Sequence, residues 1–300
     1  MVCLMRKTYF VLIACFLLMC VHRTHAQENV AEIRLIEDTL VNISDSMYGA
    51  VIPDERTIYN ERFIKLLVRA LKYPGSYKYG FDSLAQRINI IYPDDKSFRI
   101  FNWGIATDEI SRRYYGAIQM NAEELKLYPL IDCTAELGKG AEDSILTKGK
   151  WYGALYYRII PHESDGVMYY TMFGLNASNP LTNRKIMDPM SFTDHGVVFG
   201  APLFNIRSQN NPAERINRFI LEYKKAVQVS MNWDAELGAV YFDKLASESN
   251  DPNRKYTFVP TGEYDGFKWN DGHWDYVQNL IPLDVLKDGD APAPQPYKGR

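Results

Sequence analysis

The residues of greatest chemical promise in this chain are three carboxylates on otherwise apolar strand faces. Asp188 shares strand parity with Ile186, Met190 and Phe192. Asp243 shares it with Tyr241 and Leu245, and Glu222 with Ile220, between Arg218 and Lys224. A carboxylate on an apolar face is costly unless a partner answers it. Two of them meeting in one cleft would supply a general acid and base, as glycoside hydrolysis requires. The competing reading has each one meet an arginine such as Arg158 or Arg218, cap a strand end or face water. No spacing selects a catalytic pair, so the structural reading takes precedence.

Other chemistries fail on spacing. Gly75 and Gly80 stand as in a phosphate-binding loop, but Phe81 occupies the position of its lysine. Gly138-Lys139-Gly140 lacks a third glycine. His162-Glu163 opens like a zinc-protease motif, yet Gly166 stands where the second histidine belongs. No Gly-x-Ser-x-Gly elbow occurs. His162, His195 and His273 have no short ligand spacing among them, so neither a metal nor a cofactor is expected. Arg113, Arg158, Arg184 and Arg218 have the charge to hold an anion, although arginines on strands usually answer nearby acids.

The chain is rich in aromatic residues, with Tyr 21, Phe 14 and Trp 5. Trp151-Tyr152, Tyr156-Tyr157 and Tyr169-Tyr170 place rings on both faces of their strands, as a β core prefers. Trp269 and Trp274 flank the turn Asn270–His273 and are the expected exposed exception, a candidate ligand-binding pair. Stacking on nucleic acid is not expected, because the formal charge is −3 and no basic stripe accompanies the rings.

Two helices precede the strands. Ile33, Ile36, Leu40, Ile43 and Met47 form one helical stripe. A second helix is expected from an Asp54 N-cap to Tyr73, where Pro74-Gly75 stops it, and a third, short one from Asp82 to Ile91. From Phe98 the apolar period changes to two. The predicted strands are Phe98–Trp103, Arg113–Met120, Trp151–Ile160, Val167–Leu175, Arg184–Phe192, Val197–Phe204, Arg218–Ala226, Val227–Trp233, Ala239–Leu245, Tyr256–Pro260 and Gly266–Trp269. Short turns such as Ser164-Asp165-Gly166 imply hairpins. The expected fold is mainly β within an α+β class. N-terminal helices (27–97) and a long antiparallel β meander (98–287) form one domain, as a curled sheet or barrel-like sandwich, before a Pro-rich tail (288–300).

The first 26 residues read as a secretory signal peptide. Arg6 and Lys7 precede an uncharged run from Thr8 to Val21, and Thr24 and Ala26 mark a cleavage site. The run falls short of the roughly 20 residues a membrane span needs. Leu12-Ile13-Ala14-Cys15 resembles a lipobox, but the apolar run continues past it. Cleavage after Ala26 would remove three cations and no acid, taking the net charge from −3 to −6. It would leave Cys133 as the one cysteine, so an internal disulfide is not expected.

Several blocks resemble a family of exported proteins of Bacteroidetes whose activity is not established. They are Phe98-Arg99-Ile100-Phe101-Asn102-Trp103, Trp151 to Tyr157, Arg184 to Asp188, Phe219 to Tyr223, and Val259-Pro260 through Gly266. The resemblance covers roughly residues 60–280 and implies export and a shared fold. Where such proteins read Asp-His-Leu near a strand end, this chain has Asp243-Lys244-Leu245 and offers no histidine. The expected function is that of an exported non-catalytic binding or scaffold protein of the bacterial envelope, periplasmic or at the cell surface. Its partner would be a glycan or an envelope protein. The alternative is a secreted, glycosidase-like hydrolase using two of Asp188, Glu222 and Asp243.

Overall fold

The computed structural model describes residues 29–108, 110–208 and 211–282; the expected signal peptide and Pro-rich tail lie outside them. Helix α1 spans 29–49 and buries Ile33, Ile36, Leu40 and Met47, the stripe that its 3–4 spacing predicts. Helix α2 spans Pro53–Leu71. Its cap is Ile52, one step before Pro53, and no side chain caps it, so Asp54 serves instead as a first-turn acid beside Glu55.

The expected third helix is absent. Leu84–Gln86 makes a single 3-10 turn, and Asn89–Ile91 is strand β1, paired antiparallel to β2 (Phe98–Ala106). A segment this short does not nucleate a helix by itself, whereas the edge of β2 offers it backbone partners at once.

The strands build three stacked sheets, none closed into a barrel. The first has the order β1, β2, β3 (Arg112–Met120), β4 (Leu127–Asp132) and β5 (Lys150–Trp151). The second runs β12 (Phe219–Lys224), β8 (Thr182–Thr193), β7 (Val167–Asn176) and β6 (Leu155–Ser164), with β9 (Gly196–Phe199) also on β8. The third runs β11 (Asn211–Ile216), β10 (Phe204–Ser208), β16 (His273–Ile281), β15 (Phe258–Asn270), β14 (Ala239–Ser247) and β13 (Met231–Asp234). Pairing is antiparallel except for β4 with β5 and β10 with β16.

Three apolar cores hold the layers together. The helices pack on Phe101, Trp103 and Ile105 of β2. Phe98 and Ile100, on the opposite face of β2, meet Tyr156, Met172, Ile186 and Met190 of the second sheet. Phe173 and Met187, on that sheet's other face, meet Phe242, Phe267 and Trp274 of the third. A strand buried on both faces carries apolar residues at both parities, which accounts for Phe98–Trp103.

Several strands differ from the alternation pattern at places where the chain changes sheets. The run Trp151–Ile160 splits at Gly153: β5 belongs to the first sheet and β6 to the second. Val197–Phe204 splits at Gly200, whose φ of 87° only glycine adopts freely, sending the chain from β9 to β10. The expected strand Tyr256–Pro260 starts late, since Lys255–Thr257 is a 3-10 turn, and its remainder joins Gly266–Trp269 in one strand, β15, with a register shift between Tyr264 and Gly266.

Two buried polar side chains lock the layers in register. Asn102 donates to the Tyr115 and Ala154 carbonyls (3.1 and 2.9 Å) and accepts the Tyr156 N–H (2.7 Å), so it joins the first sheet to the second. Arg99 has no exposed surface. Its guanidinium donates to Gln119 Oε1, the Tyr79 and Ser76 carbonyls and Tyr92 Oη, over distances of 2.6 to 3.0 Å. It also lies over the Phe101 and Phe81 rings, at 4.7 and 5.0 Å. Burial lowers its pKa, so neutral acceptors and aromatic faces replace the missing acid.

Candidate binding cleft

An open cleft of about 1450 Å³ runs alongside β12. β12 stands at the edge of the second sheet, paired with β8. Its alternation sends Phe219 and Leu221 toward the core shared with the third sheet. Ile220 packs on the opposite core, and Glu222 shares that parity. The remaining walls come from distant segments: Asp132–Ala135, Ser178–Pro180, Phe242–Leu245 and the approach to β15 at Asn253–Phe258.

The register Glu222↔Arg184 puts these two side chains directly opposite across β12 and β8. Arg184 Nη2 lies 3.0 Å from Glu222 Oε1, and the Thr182 hydroxyl donates to the same oxygen. Arg184 Nη1 also donates to Tyr152 Oη at 3.3 Å. Burial pulls the Arg184 pKa down, but Tyr152 and Glu222 outweigh it and the net shift is upward. This pair stands at the cleft wall as a fixed alternation of donors and acceptors.

Asp132 shapes the wall nearby. One of its oxygens accepts the Tyr114 N–H (3.0 Å), the other the N–H and hydroxyl of Thr134 (3.0 and 2.7 Å). Gly153 passes so close that a Cβ there would lie 2.3 Å from the Asp132 carboxyl carbon. Asn176 holds Gly153 through its carbonyl, and Tyr114 Oη accepts the Ala177 N–H at 2.6 Å. Arg218 anchors the insert between β4 and β5 (133–149) behind the wall: its Nη1 donates to the Ala141 carbonyl, and its backbone N–H to the Glu142 carbonyl at 3.1 Å.

The three carboxylates expected to do chemistry part ways. Asp188 and Arg218 are fully buried, with Arg218 Nε 2.9 Å from Asp188 Oδ1. Burial pushes the Asp188 carboxyl up, opposed by Arg218 and by the Tyr156 hydroxyl. It lines no cleft, so the pairing with Arg218 weighed in the sequence accounts for it. Glu222 and Asp243 both line the cleft. Asp243 Oδ2 accepts the Ser230 N–H at 2.6 Å, so each of these two carboxylates already holds a structural hydrogen bond.

The hairpin tryptophans also differ from expectation. Trp274 is fully buried and donates from Nε1 to Thr171 Oγ1 at 3.1 Å, which corrects its placement as an exposed ring. Trp269 is half-buried and stacks on His162, with centroids 4.2 Å apart and planes at 23°. The β15–β16 hairpin folds over the end of the β6–β7 hairpin, and this packing hides Trp274. Burial lowers the His162 pKa to about 4, and among the described residues its Nε2 has no hydrogen-bond partner.

Asp132, Thr134, Tyr152 and Arg112, all at the cleft, escape a reading of sequence spacing. They lie on segments that only the stacking of the sheets brings together, and none belongs to a local motif. Among the described residues no group of three His, Cys, Asp or Glu side chains has the arrangement to hold a metal ion. No helix among them is long and apolar enough to cross a membrane. No family model, no curated protein and no solved structure matches the chain.

Proposed function

We propose that this chain is an exported, non-catalytic binding protein of the bacterial envelope, and that its ligand is a glycan strand seated in the cleft along β12. Export rests on the charge, apolar run and small residues of the first 26 positions. The observation that carries the binding reading is the make-up of the cleft. Its lining combines apolar side chains, Ile220, Leu221 and Phe258, with paired polar groups such as Arg184–Glu222 and Asp132–Thr134. Sugar hydroxyls both donate and accept, so fixed donor–acceptor pairs beside apolar surface suit them. A protein partner would call for a larger uncharged centre to the contact.

The test is retention on a glycan array by the intact protein and by Ala135→Trp. Ala135 is exposed at the cleft wall, so a large ring there fills the opening without entering a core. Retention should fall by at least about tenfold, roughly 1.4 kcal/mol, with an unchanged Tm. Unaltered retention would remove the cleft from consideration. If Trp269→Ala abolishes retention instead, the hairpin is the site.

One observation keeps the hydrolase reading in play: Glu222 and Asp243 share the cleft. Release of new reducing ends from a bound glycan, lost in both Glu222→Gln and Asp243→Asn, would establish it. The binding reading expects no release, because both carboxylates already serve the strands that carry them.

A further inference from the structure

Arg112 and Asn179 at one end of the cleft, and Lys225 beside it, carry unspent hydrogen-bond donors. Arg112 begins β3 and shares the parity of Tyr114, whose hydroxyl meets the loop 177–180 at the Ala177 N–H. Among the described residues no carboxylate lies within ion-pair distance of Arg112, and it makes no hydrogen bond. Across from it, Lys225 follows β12. Its ammonium donates to the Ala177 and Asn179 carbonyls, at 2.8 and 3.0 Å, and keeps a third N–H unspent. The Lys225 N–H binds the Leu181 carbonyl at 2.9 Å, so the lysine and the loop are braced together.

Asn179 adds a third donor. Its side-chain oxygen accepts the Leu181 and Thr182 N–H groups at 2.8 and 3.1 Å, which settles the orientation of the amide. Among the described residues its NH2 has no partner. The acid nearby, Asp132, has both oxygens occupied by Tyr114 and Thr134. Burial and the charge of Arg112 together hold the Lys225 pKa down, so the two cations feel each other. The other ionisable groups within reach of Arg112 are the Tyr48 and Tyr114 hydroxyls; burial raises both, and Arg112 opposes the shift.

Two uncompensated cations and a free amide NH2, on segments braced to each other, repel one another until an anion arrives. We infer that this end of the cleft is a subsite for an anionic group, and that the glycan it serves carries carboxylate or sulfate substituents. The inference rests on the cleft-binding reading for the polymer but not for the anion itself. The planar fork of Arg112 suits the two oxygens of a carboxylate or of a sulfate ester, and Lys225 and Asn179 supply the flanking donors.

Two measurements test the subsite and the polymer separately. In the first, the intact protein is titrated at low salt with sodium D-glucuronate, sodium sulfate and neutral D-glucose, following the Nε–Hε resonance of Arg112. A saturable shift with one or both anions, and none with glucose, is expected, and the preferred anion distinguishes uronate from sulfate ester. No saturable shift with either anion overturns the inference.

In the second, an oligosaccharide containing glucuronate is compared with its carboxyl-reduced form by calorimetry. The acidic form should bind at least about tenfold tighter, in line with a charged hydrogen bond. Arg112→Gln should erase that preference with no change in Tm, because Arg112 makes no internal bond to lose. A preference that survives Arg112→Gln overturns the subsite. Equal binding of the two forms by the unaltered protein leaves the cleft as a glycan site and removes the anion subsite. Saturation of Arg112 by simple anions with no binding of either oligosaccharide does the reverse.

Discussion

Asp188 on β8 and Arg218, just ahead of β12, form an ion pair with no exposed surface, 2.9 Å apart at Nε and Oδ1. Tyr152 lies against the guanidinium, whose carbon is 5.6 Å from the ring centroid. Arg218 also bonds the Ala141 carbonyl, so one side chain ties the core to the insert that walls the cleft.

Removing one member leaves the other charge buried and unanswered. Arg218→Met alone should cost about 3–5 kcal/mol in urea unfolding, whereas Arg218→Met with Asp188→Leu should cost distinctly less. A single variant with wild-type stability would show that the pair is not held as an ion pair in the core.

Gly153 is required by the space that Asp132 occupies. A Cβ at 2.3 Å from the Asp132 carboxyl carbon forces either the strand crossover or the Thr134 turn to move. Gly153→Ala should lower stability by about 1–3 kcal/mol and weaken ligand retention with it. Thermal unfolding beside the array assay checks this, and an unchanged Tm would sink it.

His162 makes stability depend on pH. Its pKa is lowered by burial from 6.5 to about 4 in the folded chain, so the unfolded chain binds more protons between those values. The contribution is fully present above about pH 6.5 and is lost as the pH falls toward 4. Partial exposure of the ring, and the attraction of a protonated imidazole for the Trp269 face, reduce it to about 1–2 kcal/mol. Urea midpoints of the wild type and of His162→Phe, from pH 7 to 4, should converge on acidification relative to their separation at neutral pH if the stacked phenyl is the poorer fit. They should diverge if it is the better one. Parallel curves would rule out titration of His162.

Trp274 belongs to the core beneath the third sheet. Trp274→Ala should cost about 3–5 kcal/mol, and Trp274→Phe less, by the loss of the Thr171 bond and part of the ring. Near-ultraviolet circular dichroism with urea unfolding reads both. Full stability of Trp274→Ala would mean that the hairpin does not pack as described.

Much of the architecture is legible in local pattern. The stripe Ile33–Met47, the halt at Pro74-Gly75 and the alternation from Phe98 onward mark helices followed by antiparallel strands, and these are the elements seen. Pattern fails where the chain switches sheets. Trp151–Ile160 and Val197–Phe204 each read as one strand, because the residues on both sides of each break are buried and apolar. Only the tight passages at Gly153 and Gly200 give the breaks away, and glycine alone does not say which way the chain turns.

The candidate site follows the same division. Residue types and parity identify Asp188, Glu222 and Asp243 as acids in need of partners, since a carboxylate on an apolar face must be answered wherever the strand lies. Which partner answers is a matter of register and stacking. The Glu222–Arg184 pair comes from the alignment of β12 on β8, and Trp274 is buried because one hairpin folds over another. The sequence by itself determined helices before strands, the aromatic composition of the cores and the need for charge pairing, because these depend on neighbours along the chain. The tertiary structure alone decided the sheet order, the cleft along β12 and the donor-rich end at Arg112, Asn179 and Lys225. Those depend on contacts between residues up to a hundred positions apart, which no local spacing encodes.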